Sequence, residues 1–219
     1  MGSPEGKNKK RGYRKSFGIL SMCLGTVLLV AAVSLFLFNR QTDRRAGAHA
    51  GEVLQQLENQ WKEQRKKEQT PQNQEGQKTS AKMEGYELDG REYIGYLQIE
   101  ALELQLPVQA DWSYPKLKET PCRYAGAVGT GDLVIFAHNY RSHFGEIDRL
   151  SEGDTVFFTD INGKEYRYAV AEVEVLDAAA VEDMTAGEYD LTLFTCTYSG
   201  KSRVAVRCDR SKGEDLYDR

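Results

Sequence analysis

The chain has 219 residues, 40% of them hydrophobic, with 29 basic against 33 acidic side chains and a net charge of −4. That length suits one or two domains. The mildly acidic balance argues against nucleic acid as the main partner.

Charge is unevenly spread. Lys7, Lys9, Lys10, Arg11, Arg14 and Lys15 precede a run without charge, FGILSMCLGTVLLVAAVSLFLF, from Phe17 to Phe38. At about 1.5 Å per residue such a helix crosses a hydrocarbon core of about 30 Å. The run is longer than an ordinary cleaved signal, and the small-residue pattern Ala48-His49-Ala50 lies far beyond it. An uncleaved signal-anchor is expected. Residues 1–16 form a basic cytoplasmic tail, residues 17–38 span the membrane, and the bulk of the chain lies outside the cell.

Residues 39–83 read as stalk and linker. Leu54, Leu57 and Trp61 recur at helical spacing, which predicts a short amphipathic helix or stalk. From Thr70 to Ser80 the composition is polar, as in a solvated linker. A compact domain is expected over 84–219.

That domain reads mainly as strands. REYIGYLQI (Arg91–Ile99), LQLPV (Leu104–Val108) and DLVIFAH (Asp132–His138) are apolar or alternating. DTVFFTDINGKEYRYAVAEVEVL holds Asn162-Gly163, a hairpin turn signal, between two alternating runs. LTLFTC and SRVAVRC follow, and short helices are predicted at SYPKLKE and FGEIDRL. About eight short strands in about 135 residues predict a closed or nearly closed β-barrel with one core.

The last hairpin carries chemistry. With its turn centred between Ser199 and Gly200, Cys196 faces Arg203. Opposed residues share a face with Cβ atoms about 4.5–5.5 Å apart, so a guanidinium sits beside a thiol. Thr192, Phe194, Arg203 and Arg207 share that face. Leu191, Leu193, Val204, Val206 and Cys208 point the other way, toward the core. Cys196 and Cys208 therefore do not pair with each other, whereas a Cys122–Cys208 disulfide stays open. With Cys23 inside the span, three cysteines lie outside it, an odd number. A lone strand cysteine is most often a small buried hydrophobe; what sets Cys196 apart is its computed arginine neighbour.

Arginine stabilises a thiolate or an oxyanion but does not take a proton. A base is needed. Of the three histidines, His49 lies in the stalk, His138 ends an apolar strand and His143 sits in the following loop. His138 is the expected base. Asn139 and Tyr140 beside it either orient the imidazole, line a groove, or are ordinary loop polarity. The acidic pairs Glu146/Asp148 and Glu182/Asp183 read as solvated faces. Asp160-Ile161-Asn162-Gly163 looks like the start of a calcium loop but lacks the later ligands. Neither a metal nor a cofactor is expected.

These motifs together resemble the sortases, membrane-anchored cysteine transpeptidases of Gram-positive bacteria. TLFTC at Thr192–Cys196 is similar to their Thr-Leu-x-Thr-Cys motif, RVAV at Arg203–Val206 to the Arg strand that follows, and VIFAHN at Val134–Asn139 to their histidine strand. Ala137 replaces the usual glycine before the histidine. IGYLQIEALELQLPV resembles their opening strands, with Glu100 where proline is usual. The likeness spans about Tyr93 to Cys208.

The resemblance implies an eight-stranded sortase-type β-barrel with short helices. It implies cleavage of a sorting signal of the Leu-Pro-x-Thr-Gly type and transfer to an amine of a cell-wall precursor or a pilin lysine. Cys196 would be the nucleophile, His138 the acid and base, and Arg203 the oxyanion partner. Asn139, Tyr140 and Thr195 would contact substrate, and the loop around Glu182–Glu188 would help form the groove. The short hairpin loop at Thr197–Ser202 suggests a class B or class D-like subgroup. A hydrolytic cysteine peptidase and a non-catalytic surface domain of the same fold are the alternatives.

Overall fold

The computed structural model describes residues 6–67 and 83–211. It divides into two units at Thr42/Asp43, and one helix, α1 (Gly6–Lys67), contributes to both. In the first unit the large apolar side chains from Leu20 to Phe38 are exposed, and the helix is long and apolar enough to cross a membrane. The linker expected over Thr70–Ser80 and the side chain of Trp61 lie outside the described residues.

From Asp43 onward α1 belongs to the second unit. Ala46, Ala50, Val53, Leu54 and Leu57 are buried. Their spacing makes one helical stripe. Val53 and Leu57 pack with Tyr93, and Ala50 joins the main core. This half of the stalk segment is therefore a packed element of the domain.

Among the described residues nine strands follow: β1 (Tyr86–Leu88), β2 (Arg91–Ile99), β3 (Leu104–Gln109), β4 (Cys122–Ala125), β5 (Leu133–Phe136), β6 (Thr155–Asp160), β7 (Glu165–Asp177), β8 (Leu191–Cys196) and β9 (Ser202–Arg210). Their order is β1-β2-β3-β4-β5-β8-β9-β7-β6, and β6 returns to pair with β2. Strands β2 to β9 thus form the expected eight-stranded closed barrel, with β1 a short addition at its edge. Closure removes the unpaired strand edges. Pairs β3–β4 and β5–β8 are parallel and the others antiparallel. At the closing seam Gly95 has φ +150°, and a Cβ there would lie 2.0 Å from the Thr159 carbonyl oxygen. Only glycine lets β2 approach β6 so closely.

The Asn162-Gly163 turn joins β6 to β7. Asp160 caps it, its Oδ1 accepting from the backbone N–H of Asn162 and of Lys164, both at 2.9 Å. The look-alike calcium loop is thus a self-satisfied turn. Short helices occur at α2 (Tyr114–Leu117) and α3 (Val181–Thr185), with a 3₁₀ turn at Ile147–Arg149.

Alternation along β5, β8 and β9 builds two apolar layers. Leu133, Ile135, Leu191, Leu193, Val206 and Cys208 face the barrel interior. Val134, Phe136, Phe194, Ala205 and Cys122 form a second cluster on the outer face, covered by Leu117 of α2 and Met184 of α3. Phe136 and Phe194 stack there at 4.4 Å, with planes within 4°. Cys122 and Cys208 thus belong to different clusters, and all four cysteines are free.

Candidate active site

The site is built where β5 and β8 end and β9 begins. In the β8–β9 ladder Cys196 pairs with Arg203, the register derived from the turn centre. A four-residue loop makes this register. Thr197 N–H donates to the Ser202 carbonyl at 3.0 Å, and Gly200 takes φ +70°. In the parallel β5–β8 ladder Phe136 pairs with Phe194. Alternation carried two residues past that pair brings His138 level with Cys196 on the same face. The Ala137 N–H bond to the Phe194 carbonyl, at 3.2 Å, continues the ladder that far. His138, Cys196 and Arg203 are all half-buried.

Thr195 lies on the opposite face. It is 3% exposed, and its hydroxyl donates to the Ala137 carbonyl at 2.9 Å. It ties β8 to the segment that carries His138 and points away from the face of Cys196. Arg203 turns toward its own hairpin, with Nη1 donating to the carbonyls of Gly200 (3.2 Å) and Ser202 (3.1 Å). The first of these bonds is exposed and the second part-buried.

His138 has two kinds of neighbour. The Tyr140 ring stacks on it with centroids 4.2 Å apart. Asn139 brings its backbone N–H to 3.1 Å and its side-chain Oδ1 to 3.0 Å of the same ring nitrogen, Nδ1. A neutral imidazole accepts from the amide there and keeps its proton on Nε2. An imidazolium donates from Nδ1 to the Asn139 oxygen. Asn139 therefore offers a partner to either form of the ring.

Below Tyr140 lies His143, with no exposed surface and its ring 5.6 Å from that of Tyr140. Burial pushes its imidazole down to about 4; nearby His138 adds to the effect, and Asp43 and the Glu119 backbone oppose it. It stays neutral at physiological pH and is unsuited to acid–base work there. The three thiols of the domain also differ. Burial pushes Cys122 and Cys208 up to about 12, whereas Cys196 is half-buried.

Arg207 sits four residues from Arg203 on the same face, opposite Thr192. It is 5% exposed and saturated: Nε donates to Glu174 at 2.7 Å, Nη1 to Thr192 Oγ1 at 3.1 Å, and Nη2 to the Asp183 carbonyl at 2.8 Å. These bonds hold the loop that carries α3 against the sheet. Under that loop is a cavity of about 280 Å³, bordered by Glu172, Glu174, Asp183, Thr192 and Arg207. Neither Cys196 nor His138 lines it. The sequence shows the Glu182 and Asp183 side chains as solvated charge, and the resemblance adds only that their loop borders a groove. What matters at Asp183 is its backbone carbonyl, to which no side-chain pattern points. Among the described residues no cluster of three metal-ligating side chains occurs.

A family profile described as a sortase domain matches residues 97–211. Solved structures agree on the fold. Sortase A from Corynebacterium diphtheriae is 22% identical, covering 57% of this chain and 64% of that one, with a TM-score of 0.52. A Streptococcus pneumoniae sortase C is 19% identical over 75% of this chain and 95% of that one, TM-score 0.51. A pilus-related sortase C of Group B Streptococcus is 23% identical over 57% and 69%, TM-score 0.50. These likenesses carry the fold and not the subgroup. No curated protein matches the chain.

Proposed function

Because the chain belongs to the sortase family of cysteine transpeptidases, we propose that it cleaves a Leu-Pro-x-Thr-Gly-like sorting signal at the outer face of the plasma membrane and transfers the new carboxyl end to an amine. The observation that carries this reading is a register: Cys196 pairs with Arg203, and two residues past the Phe136–Phe194 pair the β5 segment reaches His138 beside the end of β8.

In the first step the Cys196 sulfur attacks the threonine carbonyl carbon. Arg203 leaves its turn carbonyls and stabilises the developing oxyanion. The carbon–nitrogen bond breaks as His138 gives its proton to the departing glycine amine, leaving a thioester on Cys196. In the second step an amine from a peptidoglycan precursor or a pilin lysine attacks that thioester. His138 takes the amine's proton, and the Cys196 thiolate departs. Asn139 holds the imidazole through both transfers, and Tyr140 walls one side of it. Thr195 acts through the strands it joins.

The exposed apolar stretch Leu20–Phe38 supports a single-pass anchor. The basic residues before it favour a cytoplasmic N-terminus, with residues 84–219 outside. The test uses the full chain in detergent micelles with a pool of Leu-Pro-x-Thr-Gly-like peptides. An acyl adduct in the intact mass, absent from Cys196→Ala, is expected, and an added amine should discharge it as the amide. An adduct that persists in Cys196→Ala, or discharge to the acid alone with amine present, overturns the proposal.

A further inference from the structure

We infer that Asp43, in α1 and far outside the matched sortase domain, is a positioning residue for His138. The inference rests on the catalytic role proposed for His138.

The loop that follows His138 closes on itself. Phe144 N–H donates to the His138 carbonyl at 3.2 Å, and Gly145 N–H to the Tyr140 carbonyl at 2.7 Å. A Cβ on Gly145 would lie 2.7 Å from the carbonyl oxygens of both Asn139 and Tyr140, so the loop has no slack there. Its inner side rests on the buried rings of Phe144 and His143. Its outer corner is Ser142, whose backbone and side chain both bond to Asp43. Ser142 N–H donates to Asp43 Oδ1 at 2.9 Å. The Ser142 hydroxyl lies 2.7 Å from the same Oδ1 and 2.9 Å from the Asp43 carbonyl oxygen.

The helix is shaped for this contact. One turn on, Gly47 lies against Ser142; a Cβ at Gly47 would be 2.9 Å from the Ser142 Cβ. A charged carboxylate accepting two bonds from one residue makes a strong, directional hold. It fixes the corner of a loop whose other members are Tyr140, stacked on the imidazole, and Asn139, bonded to it. Releasing Ser142 therefore frees the two groups that set the plane and direction of the His138 ring. Misplacement of a proton-transfer group by about 1 Å costs on the order of a hundredfold in rate, so even partial release shows in turnover.

The test uses the full chain in micelles and the sorting peptide found by the adduct assay. Asp43→Ala is expected to lower kcat by roughly tenfold or more, with KM within about twofold of wild type. Asp43→Asn keeps the Oδ1 acceptor and should restore kcat to within about threefold. Ser142→Ala, which keeps the backbone bond, should fall between them. Three results overturn the inference: an Asp43→Ala kcat within about twofold of wild type, an Asp43→Asn as impaired as Asp43→Ala, or a Ser142→Ala unchanged from wild type. Turnover that survives Cys196→Ala would overturn the functional reading itself, which separates the two failures.

Discussion

The rings of His138 and Tyr140 lie face to face, centroids 4.2 Å apart and planes within 10°. The stack covers one face of the imidazole. Offset aromatic pairs are worth about 0.5–1.5 kcal/mol beyond their buried area. Removing the ring should therefore let the imidazole rotate out of line. Tyr140→Ala is expected to lower kcat about tenfold, and Tyr140→Phe, which keeps the ring, to stay near wild type. Steady-state turnover of both variants decides it. Equal losses would assign the effect to the hydroxyl instead of the stack.

Thiol chemistry should separate the cysteines of the domain. Cys122 and Cys208 have no exposed surface, and burial pushes both up to about 12. The thiolate is the reactive form. Iodoacetamide at neutral pH, followed by peptide mapping of the folded full chain, should label Cys196 and leave Cys122 and Cys208 unmodified until denaturant is added. Labelling of Cys122 or Cys208 at a rate like that of Cys196 would contradict the buried positions of those thiols.

What could be read from the sequence follows the range of the interaction that sets each feature. The Cys196–Arg203 register depends on a four-residue turn, and β2 runs over the nine residues whose pattern announces it. Strand β4 escapes such reading. Its four residues, between Pro121 and Gly126, are too few to show a period, and it exists because β5 pairs with it. Thr195 shows the same limit within a motif, since which face it takes is set by the pleat and its partner is a carbonyl 58 residues away. Asp43 and Ser142 are 99 residues apart and meet only because an apolar stripe on α1 packs on the barrel. That stripe is half legible at Leu54 and Leu57; Ala46 and Ala50, which extend it toward Asp43, carry little signal.

The two arginines of β9 should fail in different ways. Arg203 is half-buried and bonded to two turn carbonyls, so Arg203→Ala should leave the melting temperature within a few degrees. Its kcat/KM should fall by about a hundredfold, as for loss of an oxyanion donor. Arg207→Ala strands Glu174 and two loop carbonyls. Glu174 is 29% exposed, so solvent screens part of that loss. A destabilisation of about 1–3 kcal/mol is expected, or roughly 3–10 °C in melting temperature. The loss of activity should be smaller than in Arg203→Ala. Paired melting and kinetic measurements test the contrast, and near-normal turnover in Arg203→Ala would end the pairing argument.

His143 gives the domain a pH-dependent stability of defined sign. Its folded value is depressed from 6.5 to about 4, with burial the largest cause. The folded protein keeps the ring neutral where the unfolded chain takes up a proton. Between about 4 and 6.5 the unfolded state therefore binds more protons, and stability rises with pH. The contribution is complete above the unfolded value and is lost as pH falls from about 6.5 toward 4, levelling below that. A shift of this size corresponds to about 3 kcal/mol at most. The measurement is a difference between two proteins. His143→Phe keeps an aromatic ring against Tyr140 and removes the proton site. Melting of the full chain at pH 7 and at pH 4.5 should show wild type losing several degrees more than His143→Phe. The same loss in both proteins would mean that the imidazole reaches solvent, or finds a partner, when protonated.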